Sequence, residues 1–325
     1  MFDSSNCNNC QNVDCLTRCQ WINFENIDEA REEMKIMINE KESRVLSECV
    51  TCFACEEYCP YGSHPFDLIT TLQEKYNSLT INEALRQRTI EIYTPHEEFK
   101  LWDGIDPNKS TFNKCAFIKT NSKNMEVCNL VYHHLARDSV TRERALRVLE
   151  NIEKQGLKDM ICFHDECYGL YASYCPRNDI DLPEGLNPIH LFEYLYDYLL
   201  THKSQIKKLN LKGAYQRNCS NRFISETDQY VDKICELVGI ERVKRKYDRE
   251  NALCCGGPFP MLGKKKLLRE TQKRNVQDML DNNAEICFYN CPMCMEVMGS
   301  KVEQKGLKNY LLSDLCRLAL GEDID

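Results

Sequence analysis

The sequence predicts an α+β and α/β protein: an α-helical N-terminal module followed by two pseudo-repeated α/β cysteine-rich lobes, the first of them degenerate. Three observations carry this expectation. Eight of the 21 cysteines crowd into the first 59 residues around a stretch of helical periodicity. A helix-and-strand order then recurs through residues 111–200 and 201–325, and in both halves cysteines follow apolar strand-like runs. The expected divisions are 1–78, a connector at 79–110, a first lobe at 111–200 and a second at 201–325.

In the N-terminal module, Ile27, Ala30, Met34, Ile38 and Val45 recur at roughly helical spacing, which predicts one helix with a cysteine group at each end. The connector holds Pro95, Gly104 and Pro107, with a short helix expected around INEALRQR. The first lobe reads as a helix VTRERALRVLENIEKQ stopped by Gly156, an apolar run MICF, the segment HDECYG, and a long helix IHLFEYLYDYLL. The second reads as GAYQRNC, a helix ETDQYVDKICELVGI, the turn CCGGP, a helix KKKLLRETQKRNVQDML, a strand EICFYN and then CPMC. In open α/β sheets ligands collect at the carboxyl ends of strands, where these cysteines fall.

At 325 residues the chain is long enough to bury several cores without disulfide staples. Its cysteine content is about three to four times the usual share and has to be explained. MFDSSNCNNC shows no basic and apolar leader, and the cysteines cluster at two- and three-residue gaps, which favours metal ligation over disulfides. A net charge of −8 and a pI near 5.5 oppose general nucleic-acid binding. The most apolar stretch, Leu191 to Leu200, is interrupted by Glu193 and Asp197, short of the roughly 20 apolar residues of a membrane span.

Cys49, Cys52, Cys55 and Cys59, followed by Pro60, spell C-x2-C-x2-C-x3-C-P. In this run three thiolates grip one cubane [4Fe–4S] cluster and the fourth reaches a neighbouring one. Upstream, Cys7, Cys10, Cys15 and Cys19 form C-x2-C-x4-C-x3-C, with a longer middle gap and no proline. The crossover rule assigns Cys7, Cys10, Cys15 and Cys59 to one cluster, and Cys49, Cys52, Cys55 and Cys19 to the other, in a ferredoxin-like module. Val50, Phe53, Leu68 and Ile69 are expected to give apolar cover. Structural zinc is the alternative, because paired C-x2-C thiolates also satisfy a tetrahedral ion.

The second constellation is Cys219, the adjacent pair Cys254 and Cys255 followed by Gly256 and Gly257, and Cys291-Pro292-Met293-Cys294. Here the sequence resembles the cysteine-rich CCG domain of the heterodisulfide reductase family, which also includes iron–sulfur subunits of glycolate and lactate oxidation systems. The resemblance implies a non-cubane [4Fe–4S] cluster held by five thiolates, and all five positions are filled here. A fifth thiolate in register fits an expanded cluster, and Gly256, Gly257 and Pro258 supply the turn that lets adjacent cysteines face one site. A metal-free cysteine pair is the other reading. A ferredoxin module before tandem cysteine-rich domains is similar in order to the fused D-type subunit of that family, which is longer. The first lobe departs from the pattern: no Cys-Cys-Gly lies between Cys115 and Cys167, and His164-Asp165-Glu166-Cys167 stands where the terminal C-x2-C belongs.

The resemblance therefore implies an iron–sulfur subunit of an anaerobic, cytoplasmic redox complex, with two cubane clusters feeding the non-cubane one, which reduces a disulfide or related thiol substrate. Other redox subunits, a flavoprotein or a second iron–sulfur subunit, are the expected partners. The alternatives are a pure relay for a flavin-dependent 2-hydroxy-acid dehydrogenase and a structural zinc protein. Cys162, Cys167, Cys175, Cys115 and Cys128 read as core or loop residues, with a zinc site or altered cluster that includes His164 as the alternative, and Cys235, Cys287 and Cys316 read as small core residues. His133-His134 reads as a surface or capping pair, with a proton relay as the alternative. ERVKRK and GKKK read as solvated faces, or as patches that steer an anionic substrate. No glycine loop for a flavin or nucleotide is present.

Overall fold

A computed structural model describes residues 1–79, 81, 130–156 and 158–324. The expected connector helix, Pro95, Gly104, Pro107, Cys115 and Cys128 lie outside these residues.

The N-terminal module is built from short helices: α1 (Asp14–Thr17), α2 (Ile27–Ile38), α3 (Arg44–Glu48), α4 (Ala54–Tyr58) and α5 (Pro65–Tyr76). The single long helix expected here is two. Helix α2 is capped by Asn26, whose side chain accepts from the amides of Asp28 and Glu29, and it stops at Asn39. Glu40 takes a left-handed φ of 54°, and Ser43 then caps α3 by accepting from Val45 N. A polar break thus wins over apolar spacing that continues across it. Leu16, Met37, Leu46, Phe53, Phe66 and Leu72 fill the core, each contributing about 1.5–3 kcal/mol by leaving water.

Helix α6 (Asp138–Gln155) ends at Gly156, whose φ of +62° makes the expected stop. Strand β1 (Asp159–Cys162) leads into α7 (Asp165–Gly169), and β2 (Asn187–His190) pairs with β1 in parallel. Ile189 and His190 therefore end a strand, and the helix expected to include them, α8 (Leu191–Thr201), starts just after. The reason is local: His190 is extended and its ring accepts from Phe192 N, so it caps the helix instead of entering it.

The second lobe has β3 (Leu211–Gln216), α9 (Asp228–Val238), β4 (Ile240–Arg242), α10 (Lys265–Asp281), β5 (Ile286–Tyr289), α11 (Pro292–Glu303), β6 (Lys308–Leu311) and α12 (Leu312–Ala319). Its four strands are all parallel, in the order β4-β3-β5-β6. β4 and β6 are additions to the elements expected from sequence. Both are short, and Gly239 at φ +77° ends α9 so that Ile240 begins a strand. The described part of the first lobe has two strands against four, so a repeated architecture is not what it displays. The two sheets share one core, with Ile161, Leu191, Phe192 and Leu195 packed among Tyr215, Val231, Ile286 and Phe288.

The N-terminal module is fastened to the rest by polar contacts. Glu57 accepts from Arg217 and Arg222 at 2.7 and 2.8 Å, and Lys264 Nζ donates to the carbonyls of Ser47, Glu48 and Cys49. Arg177 sits 3.1 Å from Asp67. These contacts set the first cysteine group against the second.

Candidate iron–sulfur site

None of the 19 described cysteines forms a disulfide. In the N-terminal module the thiols fall into two neighbourhoods. Cys7, Cys10, Cys15 and Cys59 face one another and line a cavity of about 70 Å³ walled by Val13, Met34 and Ile38. Cys49, Cys52 and Cys19 face one another, with Cys55 beside Cys49 and Cys52 and also within reach of Cys15. The chain crosses over between the groups because α1 packs on α4, which brings Cys59 to the first trio and Cys19 to the second.

The backbone around these thiols is bent inward. Thr51 and Phe53 hold left-handed φ values of 54° and 61°, and Val13 one of 49°. For bulky or β-branched residues such conformations cost about 1–3 kcal/mol each, a strain that gathers at functional sites. Here it turns amides toward sulfur: Thr51 N lies 3.3 Å from Cys49 Sγ and Ser63 N 3.4 Å from Cys59 Sγ. The expected cover residues Val50, Phe53, Leu68 and Ile69 are all buried. Burial, with neighbouring thiols adding to it, pushes Cys49 up to about 12 and Cys19 to about 11.

The five C-terminal thiols converge from three segments. Cys219 follows β3, Cys254 and Cys255 lie in the turn before α10, and Cys291 and Cys294 straddle the start of α11 after β5. They form a row in contact: Cys219 with Cys254, Cys254 with Cys255, Cys255 with Cys294, and Cys294 with Cys291. Gly256, at φ +87°, makes the turn that lets neighbours share one side, and its amide donates to Cys254 Sγ at 3.3 Å. A Cβ there would meet Leu268 at 2.5 Å, so the position accepts only glycine without rearrangement. Contact with Cys294, aided by His164, brings Cys291 down to about 6. Among the described residues no three His, Cys, Asp or Glu side chains are spaced around a single ion.

Such thiols fit a multi-iron core. Buried thiolates crowded together repel one another, and only a shared cationic centre neutralises several of them at once. The amides aimed at sulfur are the donors that such thiolates use.

Three side chains at this site come from outside the second lobe. His134 is buried, stacks on Phe53 at 4.3 Å, and places Nε2 3.5 Å from Cys219 Sγ; its Nδ1 is 3.2 Å from Thr51 Oγ1. Neither histidine of the pair is on the surface, a correction to the surface reading that sequence favours for adjacent polar rings. His164 contacts Cys291, and Glu166 beside it is pushed up to about 7 by burial, with Cys291, Asp165 and Cys255 adding to the rise. The sequence does hold a sign of this neighbourhood: Asn-Cys recurs at 218–219 and 290–291.

The remaining described cysteines pack in apolar clusters. Cys235, Cys287 and Cys316 are buried in the core, as are Cys162 and Cys175 in the first lobe, with Cys167 against them. The arginines of ERVKRK turn inward: Arg242 binds Asp228, Asp232 and Asp248, and Arg245 binds Asp278. Of GKKK, Lys264 caps the carbonyls before Cys52, so Arg242, Arg245 and Lys264 tie the fold, while Lys244, Lys246, Lys265 and Lys266 are exposed.

A sulfur-lined site at the strand ends of a small parallel sheet defines the class, a cysteine-rich domain protein. Residues 214–299 match the cysteine-rich domain family CCG, a span that runs from β3 into α11 and contains all five thiols. The chain is 27% identical over 163 residues to the D subunit of the dihydromethanophenazine:CoB–CoM heterodisulfide reductase of Methanosarcina barkeri, a match covering 48% of this chain and 39% of that protein. The chain thus carries a segment similar to the CCG cysteine-rich domain, resembles the D-type subunit of heterodisulfide reductase, and spans about two fifths of that relative's length. No described helix is long and apolar enough to cross a membrane.

Proposed function

We propose that the chain is an iron–sulfur electron-transfer subunit of a cytoplasmic, anaerobic redox complex similar to heterodisulfide reductase. Cys7, Cys10, Cys15 and Cys59 hold one cubane cluster, and Cys49, Cys52, Cys55 and Cys19 the other. Cys219, Cys254, Cys255, Cys291 and Cys294 hold the non-cubane cluster, which when bound supplies a two-electron site able to cleave a disulfide or related thiol substrate. The observation that carries this reading is the convergence of five thiols, four of them buried and Cys219 half-buried, beside the Cys49–Cys52 loop. Thr51 of that loop reaches Cys219 through His134, which gives the two regions a short bonded route. Val50 and Cys52 also pack in the same apolar cluster as the five thiols.

The chain's residues bind, orient and exclude water. Cys291 caps the N-terminus of helix α11, which favours thiolate there. Partner proteins supply and accept the electrons.

Anaerobically purified protein is expected to carry roughly twelve irons with matching acid-labile sulfide; zinc alone would end the redox reading. Turnover of a heterodisulfide with reduced viologen supports the reductase. Intact clusters without turnover favour the second reading, a relay for a flavin-bearing 2-hydroxy-acid dehydrogenase, which the presence of one five-cysteine site rather than a pair also suits.

A further inference from the structure

We infer that Asp165 of the first lobe is a positioning residue for the five-cysteine site of the second, an inference that rests on those thiols holding a cluster. The Asp165 carboxylate is fully buried. Its Oδ2 accepts from Asn290 Nδ2 at 2.6 Å and from Asn218 Nδ2 at 3.3 Å, and its Oδ1 accepts from Asn221 Nδ2 at 2.8 Å. His190, at the end of β2, places Nε2 3.3 Å from Oδ1. Asn218 and Asn290 each immediately precede a site cysteine, Cys219 and Cys291.

One carboxylate therefore ties the ends of β3 and β5 at the two points where the chain delivers sulfur. An ionised carboxylate only accepts, so it compels both amides to turn their NH2 groups toward it. For Asn218 this leaves Oδ1 to accept from Ser220 N at 3.3 Å, which caps the turn carrying Cys219. The surrounding donors hold Asp165 ionised despite its burial. The His164–Cys167 segment of the first lobe thus supports its neighbour's site.

The test uses the full chain, reconstituted anaerobically. In Asp165→Asn, retention of the C-terminal iron against a chelator should fall about 10- to 100-fold, and the midpoint potential of that centre should rise, because a buried negative charge is gone. Iron and potentials of the two N-terminal centres should stay as in the parent. Asn218→Ser keeps a capping oxygen and the Asp165 charge but loses the reach to Asp165, so it should lower retention by less with little change in potential, and it decides the matter through retention if Asp165→Asn does not fold. A C-terminal centre present in the parent and unchanged in retention and potential in these variants would overturn the inference. Absence of that centre from the parent would instead sink the functional reading, and this inference with it.

Discussion

The two sulfur-rich regions gather their thiols by different means. In the N-terminal module every cysteine sits on or beside a one-turn helix, and the gaps within each group are two to four residues. At the C-terminal site 34 residues separate Cys219 from Cys254 and 35 separate Cys255 from Cys291. There the sulfurs meet only because β3 and β5 are parallel neighbours whose carboxyl ends coincide, Gln216 beside Tyr289. A site made of local turns is specified by spacing, whereas a site made of strand ends is specified by the sheet. The second kind depends on everything that holds the sheet ends in place, including residues of another lobe.

The sharpest way to break this comparison is Cys255→Ser. Cys255 touches both Cys254 and Cys294 and so joins the two halves of the row. The variant should lose about four irons per chain while the N-terminal centres remain, as measured by iron, sulfide and the spectra of the reduced cubanes; loss of iron from all three centres would show that the regions are not independent.

Next in size is Glu57→Gln, which leaves the buried Arg217 and Arg222 without a counter-charge. It should destabilise the docking of the module by about 3 kcal/mol, seen as a lower denaturation midpoint and faster proteolysis between the module and the lobes. Gly256→Ala follows. It forces a side chain into a left-handed turn against Leu268, and should cost about 1–3 kcal/mol and reduce C-terminal iron selectively.

The smallest effect is a pH dependence. Burial alone would raise the Asp248 carboxyl, but Arg242 outweighs it and holds the group below its ordinary value. Because the folded pKa is depressed, the stabilisation is present above about pH 3.9 and is lost as pH falls through the folded value. Unfolding of the apoprotein at pH 5 and pH 3 should differ less in Asp248→Asn than in the parent.

Much of the fold is legible in the sequence because its signals are local. Gly156 stops a helix where the chain needs a left-handed residue, and the apolar runs MIC and ICFY form strands, whereas Gly239 ends a helix that the sequence pattern carries on to Ile240. The break between α2 and α3 is hidden because apolar spacing continues across a polar cap. β6 gives no signal because KNYL is short and half-exposed, and gains its partner only from β5.

By itself the sequence determined which sulfurs are available and in what groups: cysteine spacing along a short chain limits which thiols can reach one point, and glycines at Gly256 and Gly257 mark where the backbone must turn. Only the tertiary structure decided that His134, His164 and Glu166 stand against the C-terminal sulfurs and that Asp165 binds the asparagines preceding two of them. Their neighbourhood is created by packing one parallel pair of strands beside another, and no spacing along the chain encodes the distance between residues that meet only when two sheet ends close on each other.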